Sequence, residues 1–252
     1  MLYVVTSCAH AQEVIYFNES GRQTTKDSAD YYKLKAEEGQ MQQHLFYMNG
    51  QTYMYVKYSN VLPQNREGQS TMYSRDGRTR IVTNYRNNKK DGRETIYYKE
   101  KLECVRSFVN DELNDTLRSY YADGTFKRLE IWDHGKFVSG RMLTRTGQDT
   151  VYAPYEAAAQ FVGGMPALMD FIRKNTVYPQ EAKNKGIAGK VFLKFIIDAE
   201  GRISNVIVLR SPDPLLSQAA LNVVKAMPAW EPARREGRPE KCYFNLPISF
   251  KF

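Results

Sequence analysis

The chain has 252 residues, of which 42% are hydrophobic, enough for one large domain or two ordinary domains with packed cores. Its net charge of +8 is spread along the chain: 14 basic and 9 acidic residues lie after residue 155, and 22 and 19 lie before it. Because both signs are interspersed, the charge favours a solvated surface over a nucleic-acid-binding patch. No apolar run approaches the roughly 18 residues that a membrane-spanning helix needs, so we expect no transmembrane span.

The N-terminal segment MLYVVTSCAHAQ indicates export. Its short apolar run is followed by Ala9-His10-Ala11, a small-x-small pattern that signal peptidase cuts after, which predicts that residues 1–11 are the remnant of a signal peptide. Alternatively, Val5-Thr6-Ser7-Cys8 resembles a bacterial lipobox, and Cys8 would then carry a lipid anchor. Both alternatives place the protein in the periplasm or elsewhere in the cell envelope. An ordinary N-terminal strand is the third interpretation.

Residues 13–152 contain an internal repeat that predicts an all-β array of hairpins. The segments YSRDGRTRIVTNYRNNKKDGRETI, YKEKLECVRSFVNDELNDTLRS and YADGTFKRLEIWDHGKFVSGRM align with one another. One turn position recurs at steps of 24, 23 and 23 residues, at Gly77, Lys101, Gly124 and Gly147. Three aromatic residues fall in register, Tyr85, Phe108 and Trp132. Each unit has a Tyr-containing strand, a turn that accepts positive φ and a return strand, so we expect five or six hairpins side by side.

These repeats resemble the bacterial MORN-variant repeats found in many Bacteroidetes envelope proteins. Two positions depart from the pattern, because Lys101 and Asp115 stand where glycine is expected. The resemblance implies a scaffolding role and sometimes lipid contact. The aromatic positions themselves are expected to be core rather than ligand-binding.

The composition changes after Pro154, which predicts a second domain over residues 156–252. Gly163-Gly164 predicts a hinge before a short helix that Pro166 opens. Further on, GKVFLKFIID and GRISNVIVLR predict an antiparallel hairpin with Gly201 in its turn. Asp213 caps a predicted helix, PLLSQAALNVVKAM, and the alternating segment KCYFNLPISFKF predicts a half-buried final strand.

Pro247 lies inside this final strand and predicts that the strand is at a sheet edge, since proline cannot donate to a β-ladder. An open edge can accept an extended peptide as an additional strand, with backbone hydrogen bonds supplying the affinity. The alternative is that Pro247 and the neighbouring lysines serve to block edge pairing.

At these residues the chain resembles the C-terminal domain of the TonB family, in its Bacteroidetes form. The motifs are FVGGMPALMDFIRKNTVYP, GIAGKVFLKFIIDAEGRISNVIVLRS, AMPAWEPARREGRP and LPISFKF, over roughly residues 157–252. The resemblance implies an α+β fold, a three-stranded antiparallel sheet with two main helices on one face, which binds the TonB-box segment of outer-membrane receptors by strand addition. By position, the implied partner-binding residues are Asn175, Thr176, Val177, Tyr178, Pro179, Lys241, Tyr243 and Asn245. For Tyr178, core packing is the alternative.

Complete TonB-family transducers carry a membrane helix and a Pro-rich tether, and here the hairpin array stands in their place. The resemblance therefore extends to peptide recognition and not to force transmission. The first hypothesis is a periplasmic TonB-like module that binds an outer-membrane receptor or another envelope protein. The second is a structural envelope protein that binds its partner through the hairpin array, with the C-terminal domain as a cap.

An enzyme is the least favoured hypothesis. The only histidines are His10, His44 and His134, and neither HExxH nor GxSxG occurs. Carboxylate pairs such as Asp123 and Glu130 adjoin turns and are expected to be solvated. Cys104 and Cys242 are predicted to be buried thiols without metal-ligand spacing. We therefore predict no catalytic residue, no metal and no cofactor.

Overall fold

The computed structural model describes residues 13–19, 21–35, 41–59 and 65–251. The signal-peptide and lipobox interpretations of residues 1–11, including the anchor at Cys8, lie outside these described residues. The chain divides into two compact units, one ending at Ala153 and one beginning at Pro154. This division falls where the composition of the sequence changes.

The described part of the N-terminal unit is a single antiparallel sheet in which eleven strands follow one another in chain order. A short 3₁₀ turn, Lys26–Ser28, precedes the second strand. The strands are β1 Val14–Phe17, β2 Tyr31–Leu34, β3 Gln42–Tyr47, β4 Thr52–Lys57, β5 Gly68–Tyr73, β6 Thr79–Arg86, β7 Lys89–Tyr98, β8 Lys101–Val109, β9 Glu112–Tyr120, β10 Phe126–Asp133 and β11 Lys136–Met142. Because every neighbour in sequence is a neighbour in space, the unit is the array of hairpins that the repeat predicts.

Two kinds of turn join these strands. At Gly77 and Gly124 the backbone has φ of +81° and +86°, and each glycine N–H donates to the carbonyl three residues earlier. At Asn87-Asn88 and Asn110-Asp111 both residues of a two-residue turn have positive φ, as hairpins of the I′ type require. The array therefore uses both glycine-containing turns and two-residue turns without glycine.

The alignment of Lys101 with the turn glycines is wrong in detail. Lys101 is the first residue of β8, and the preceding turn consists of Lys99 and Glu100, with φ of +49° and +65°. This shorter turn has no glycine position at residue 101, which explains the departure from the repeat. Asp115 has φ of +69° within β9, a conformation that aspartate tolerates better than most residues.

Charged side chains are buried at several points of this sheet, and Glu130, which was expected to be solvated, is only 1% exposed. One cross-strand row shows how such charges are compensated. Glu94 on β7 is paired with Arg106 on β8, and the two side chains are 1% and 8% exposed with 2.5 Å between Oε2 and Nε. Lys90 Nζ lies 2.6 Å from Glu94 Oε1, and the Thr83 hydroxyl also donates to that oxygen. Burial alone would raise the pKa of Glu94, but the Arg106 and Lys90 charges outweigh it and hold this pKa below its ordinary value.

The described residues of the C-terminal unit, 154–251, form two small sheets and three helices. The helices are α1 Gly164–Asn175, α2 Gln180–Asn184 and α3 Pro214–Lys225. The strands are β12 Glu156–Ala157, β13 Gly189–Ile197, β14 Ile203–Arg210, β15 Ala233–Arg235, β16 Arg238–Glu240 and β17 Cys242–Phe250. The main sheet has the order β14-β13-β17, and the second sheet, β12-β15-β16, was not predicted from the sequence.

The core of this unit lies between the main sheet and the helices. β13 is its central strand, with Val191, Leu193 and Phe195 fully buried. Helix α1 adds Leu168, and α3 adds its buried stripe, which is Leu216, Ala220, Val223 and Val224. Together with α2, these two longer helices contribute to a single hydrophobic cluster, so they complete an α+β unit of the predicted class.

Trp230 joins the hairpin turn to this core. Its ring centroid is 4.7 Å from that of Phe244 and 5.9 Å from that of Phe195. Its backbone N–H donates to the Gly201 carbonyl over 2.8 Å, and Gly201 has the predicted positive φ, +82°. A Cβ at residue 201 would overlap the Trp230 carbonyl oxygen, so only glycine fits there.

Candidate partner-binding edge

Strand β17 forms one edge of the main sheet. It pairs with β13 along its whole length, from Cys242 opposite Ile197 to Phe250 opposite Gly189. No other described strand pairs with its outer side, because the sheet order ends at β17. Its side chains alternate, with Leu246, Ile248 and Phe250 buried and the residues between them exposed.

Pro247 shows which backbone groups of β17 point outward. In an antiparallel ladder, pairs of residues alternate between hydrogen-bonded and non-hydrogen-bonded. Pro247 is opposite Phe192 and has no N–H, so this pair must be a non-hydrogen-bonded one. By alternation, Asn245 and Ser249 also belong to such pairs, and their N–H and C=O groups point away from β13. The outward row therefore contains both groups of Asn245 and Ser249 but only the carbonyl of Pro247.

The opposite edge of the sheet is less regular. Strand β14 pairs with β13 with register shifts on both sides of Leu193-Lys194. Asn205, within β14, has φ of +51°, which interrupts the extended backbone. Bulges of this kind bend a strand and disrupt further pairing, so β17 is the better template for an additional strand.

The predicted contact residues of this strand lie along the same edge. Tyr243 and Asn245 are exposed on β17, and Lys241 is exposed just before it. Lys194 Nζ lies 4.3 Å from the Tyr243 ring centroid, a cation–π contact from the neighbouring strand. Next to them, Cys242 is half-buried rather than fully buried, and this burial raises the pKa of its thiol.

The second predicted group, Asn175–Pro179, connects α1 to α2. The Asn175 side-chain amide and the Thr176 hydroxyl donate to the carbonyls of Phe171 and Ile172 in the last turn of α1. These contacts satisfy carbonyl groups that a helix end leaves without partners. Val177 is 76% exposed, and Pro179 is the N-cap residue of α2.

Tyr178 is a packing residue in this structure. Its ring makes an edge-to-face contact with Phe250, with 5.6 Å between the ring centroids, and it belongs to the margin of the hydrophobic cluster. Its hydroxyl donates to the Ile187 carbonyl over 2.6 Å. The core-packing alternative thus describes its observed contacts, and the side chain fixes the 175–179 segment against the end of β17.

A groove of about 420 Å³ lies between this segment and helix α3. Asn175, Val177 and Pro179 line one side. The α3 side was missed by sequence reasoning, and consists of Pro214, Leu215, Gln218, Ala219 and Asn222. Leu215 and Ala219 are partly exposed and lie beside the buried stripe of α3. The sequence signal that could have revealed them is their apolar character at helix positions next to that stripe.

The two predicted groups do not form one pocket. Tyr178 contacts Phe250, the last residue of β17, whereas Tyr243 is seven residues earlier on the same strand. At about 3.4 Å per residue, this separation is about 24 Å. The structure therefore places the two groups towards opposite ends of one edge strand.

The C-terminal unit is thus a small α+β unit whose last strand, β17, lies at a sheet edge and contains a proline. Residues 174–252 match the family model of the Gram-negative bacterial TonB protein C-terminal domain. The match lies within the C-terminal unit and covers less than half of the chain. Over these residues the unit is similar to that family. Searches of curated proteins and of solved structures found no match to this chain.

In the described part of the chain, no group of three or more His, Cys, Asp or Glu side chains is arranged to hold a metal ion. Over the same residues, no helix combines the length and the apolar character that crossing a membrane requires.

Proposed function

We propose that the C-terminal unit binds an extended segment of an outer-membrane receptor, or of another envelope protein, by strand addition to β17. The observation that carries the proposal is the position of β17 at the sheet edge, with the N–H and C=O groups of Asn245 and Ser249 directed outward. A guest strand that pairs with these groups extends the ladder of the main sheet. The TonB-like character of the unit supports an outer-membrane partner with a TonB-box-like segment.

In this proposal Pro247 limits how the guest strand pairs. Pro247 offers a carbonyl but no N–H to the outer row. At this position, midway between Asn245 and Ser249, the guest strand therefore forms one hydrogen bond fewer with β17. The proposed contact residues on β17 are Tyr243 and Asn245, with Lys241 just before them. Because Pro247 has no N–H, the guest carbonyl that faces it receives no hydrogen bond from β17. This favours guest registers in which that carbonyl does not need a donor from β17.

The segment Asn175–Pro179 forms the second proposed contact surface, beyond the Phe250 end of β17. Val177 and Pro179 line its groove with α3, and Tyr178 holds it in place. If the guest strand continues past the Phe250 end of β17, the guest residues beyond the paired segment come towards this groove. Export to the periplasm, with a cleaved leader or a lipid anchor at Cys8, completes the proposal.

A proline substitution in the outer row of β17 tests strand addition. Asn245→Pro removes an outward N–H without removing a hydrogen bond to β13, since Asn245 and Lys194 form a non-hydrogen-bonded pair. The matched control is Asn245→Ala, which removes the side chain but keeps the N–H. We expect the full chain and its Ala variant to capture the same receptor from outer-membrane extracts, and the Pro variant to lose it. Capture by the Pro variant at the level of the Ala variant refutes strand addition.

One observation favours the scaffolding alternative. Strand β11, the last of the MORN-like array, has exposed side chains along nearly its whole length, with Phe137 47% and Val138 59% exposed. An exposed apolar strand can serve as a protein-binding surface. If Val138→Asp abolishes capture while Asn245→Pro does not, the array binds the partner and the C-terminal unit acts as a cap.

A further inference from the structure

The main sheet of the C-terminal unit contains cations but no carboxylates. The strands β13, β14 and β17 include Lys190, Lys194 and Arg210, and none of the three includes Asp or Glu. In the described part of the chain, none of these three cations forms a salt bridge. Lys190 and Arg210 are exposed and Lys194 is half-buried. Surface cations without ion-pair partners favour an anionic ligand by charge complementarity.

Two of these cations are beside the proposed guest strand. On β13, Val191, Leu193 and Phe195 face the core. The residues that alternate with them, Lys190, Phe192 and Lys194, therefore face the opposite side of the sheet. In register, Lys190 is opposite Ser249 and Lys194 is opposite Asn245. Both partners on β17 have short side chains, which leave room for a lysine to cross over them.

The lysine side chains are long enough to meet a guest residue. A strand added to β17 would be two strand spacings from β13, or about 10 Å. The four-carbon stem of lysine spans more than half of this distance, and an acidic side chain leaning from the guest spans the rest. Lys194 already crosses towards β17, since its Nζ is over the Tyr243 ring.

We propose that the guest segment carries two acidic residues four positions apart, with an apolar residue midway between them on the same face. This inference deepens the proposed strand addition and depends on it. The acidic residues would be opposite Asn245 and Ser249, within reach of Lys194 and Lys190. The apolar residue would be opposite Pro247, beside Phe192, which is 36% exposed. The spacing is the same for a parallel and an antiparallel guest, because outward side chains recur at every second residue in both.

The test uses the full chain and synthetic peptides of alternating Val and Thr, labelled for fluorescence anisotropy. One peptide has two Glu residues four positions apart with Val between them, and the second has Gln in both places. We expect the Glu peptide to bind about three- to tenfold more tightly, as two exposed ion pairs allow. The difference should shrink at high salt, because exposed charges are screened.

Matched variants identify the responsible cations. Combined Lys190→Gln and Lys194→Gln substitutions should remove the preference for Glu, whereas Lys225→Gln, an exposed lysine at the end of α3, should preserve it. A third peptide, with the second Glu moved by one position to the opposite face, should lose about half of the advantage in log affinity. Retention of the full Glu preference by the double variant overturns the inference.

The outcomes separate this inference from the proposed function. If Asn245→Pro weakens both peptides but they bind the wild-type chain equally, strand addition holds and the acidic pattern is refuted. If Asn245→Pro weakens neither peptide, strand addition itself fails. If vesicles containing phosphatidylglycerol bind through Lys190 and Lys194 while the Glu peptide has no advantage, the cationic face recognises lipid, which also overturns the inference.

Discussion

Replacing Gly201 by alanine should destabilise the C-terminal unit far more than a usual glycine substitution. Gly201 has φ of +82°, and a Cβ there would overlap the carbonyl oxygen of Trp230. That oxygen belongs to the backbone and cannot move away by a side-chain rotation. The clash must therefore shift either the β13–β14 turn or the segment that holds Trp230.

The magnitude follows from three contributions. Alanine in the left-handed region costs about 1–2 kcal/mol. Separation of the two segments removes the 2.8 Å hydrogen bond from the Trp230 N–H to the Gly201 carbonyl, which contributes about 1 kcal/mol. Displacing the Trp230 ring from Phe244 and Phe195 weakens aromatic contacts, each contributing about 0.5–1.5 kcal/mol. We expect a total loss of about 3–6 kcal/mol in the free energy of unfolding.

Gly237→Ala is the matched control in the same unit. Gly237 has φ of +76°, close to that of Gly201, but a Cβ there meets nothing within 4 Å. Only the backbone strain of about 1–2 kcal/mol should remain. Urea unfolding of both variants, followed by tryptophan fluorescence in a Trp132→Phe background, reports on Trp230 alone. Equal losses in the two variants would show that the close approach to Trp230 adds nothing, and would refute the reasoning.

Three further results are expected. Arg106→Met should destabilise the N-terminal array by about 3–5 kcal/mol in urea unfolding, because it leaves the buried Glu94 carboxylate without its closest cation; a loss below 1 kcal/mol would contradict this. Since the pKa of Glu94 is lower in the folded state, its contribution to stability is present above its ordinary value of 4.5 and is lost as the pH falls through the folded-state value, so Glu94→Gln should flatten the acid limb of a stability–pH curve. Tyr178→Phe should cost about 1 kcal/mol through the lost hydrogen bond to Ile187, with little effect on receptor capture, and a large loss of capture at unchanged stability would instead indicate direct contact.

Local patterns in the sequence were sufficient for much of the fold. Alternation of buried and exposed residues in β17 was predictable because side chains of a strand point to alternate faces, and Pro247 marked the edge because it lacks an N–H. The Asp213 cap and the α3 stripe follow the same kind of local rule, and the Asp213 carboxylate accepts a hydrogen bond from the Leu215 N–H. These features depend on neighbours in sequence.

Features that depend on distant segments were not predictable in this way. The small sheet β12-β15-β16 joins residues near 156 to residues near 235, and no short pattern indicates such a pairing. The two-residue turn at Lys99-Glu100 was hidden because several turn types satisfy the same hairpin. For the site, the α3 side of the groove required knowledge of which helix packs beside residues 175–179.

The sequence by itself determined the repeated hairpins, the α+β composition of the C-terminal unit and the edge position of its last strand, because periodicity, turn residues and proline act locally. Only the tertiary structure decided that Tyr178 packs on Phe250, that Trp230 lies against Gly201 and that Lys190 and Lys194 are opposite Ser249 and Asn245. Register and packing join residues far apart in sequence, and their free energies are realised only when the whole unit is assembled.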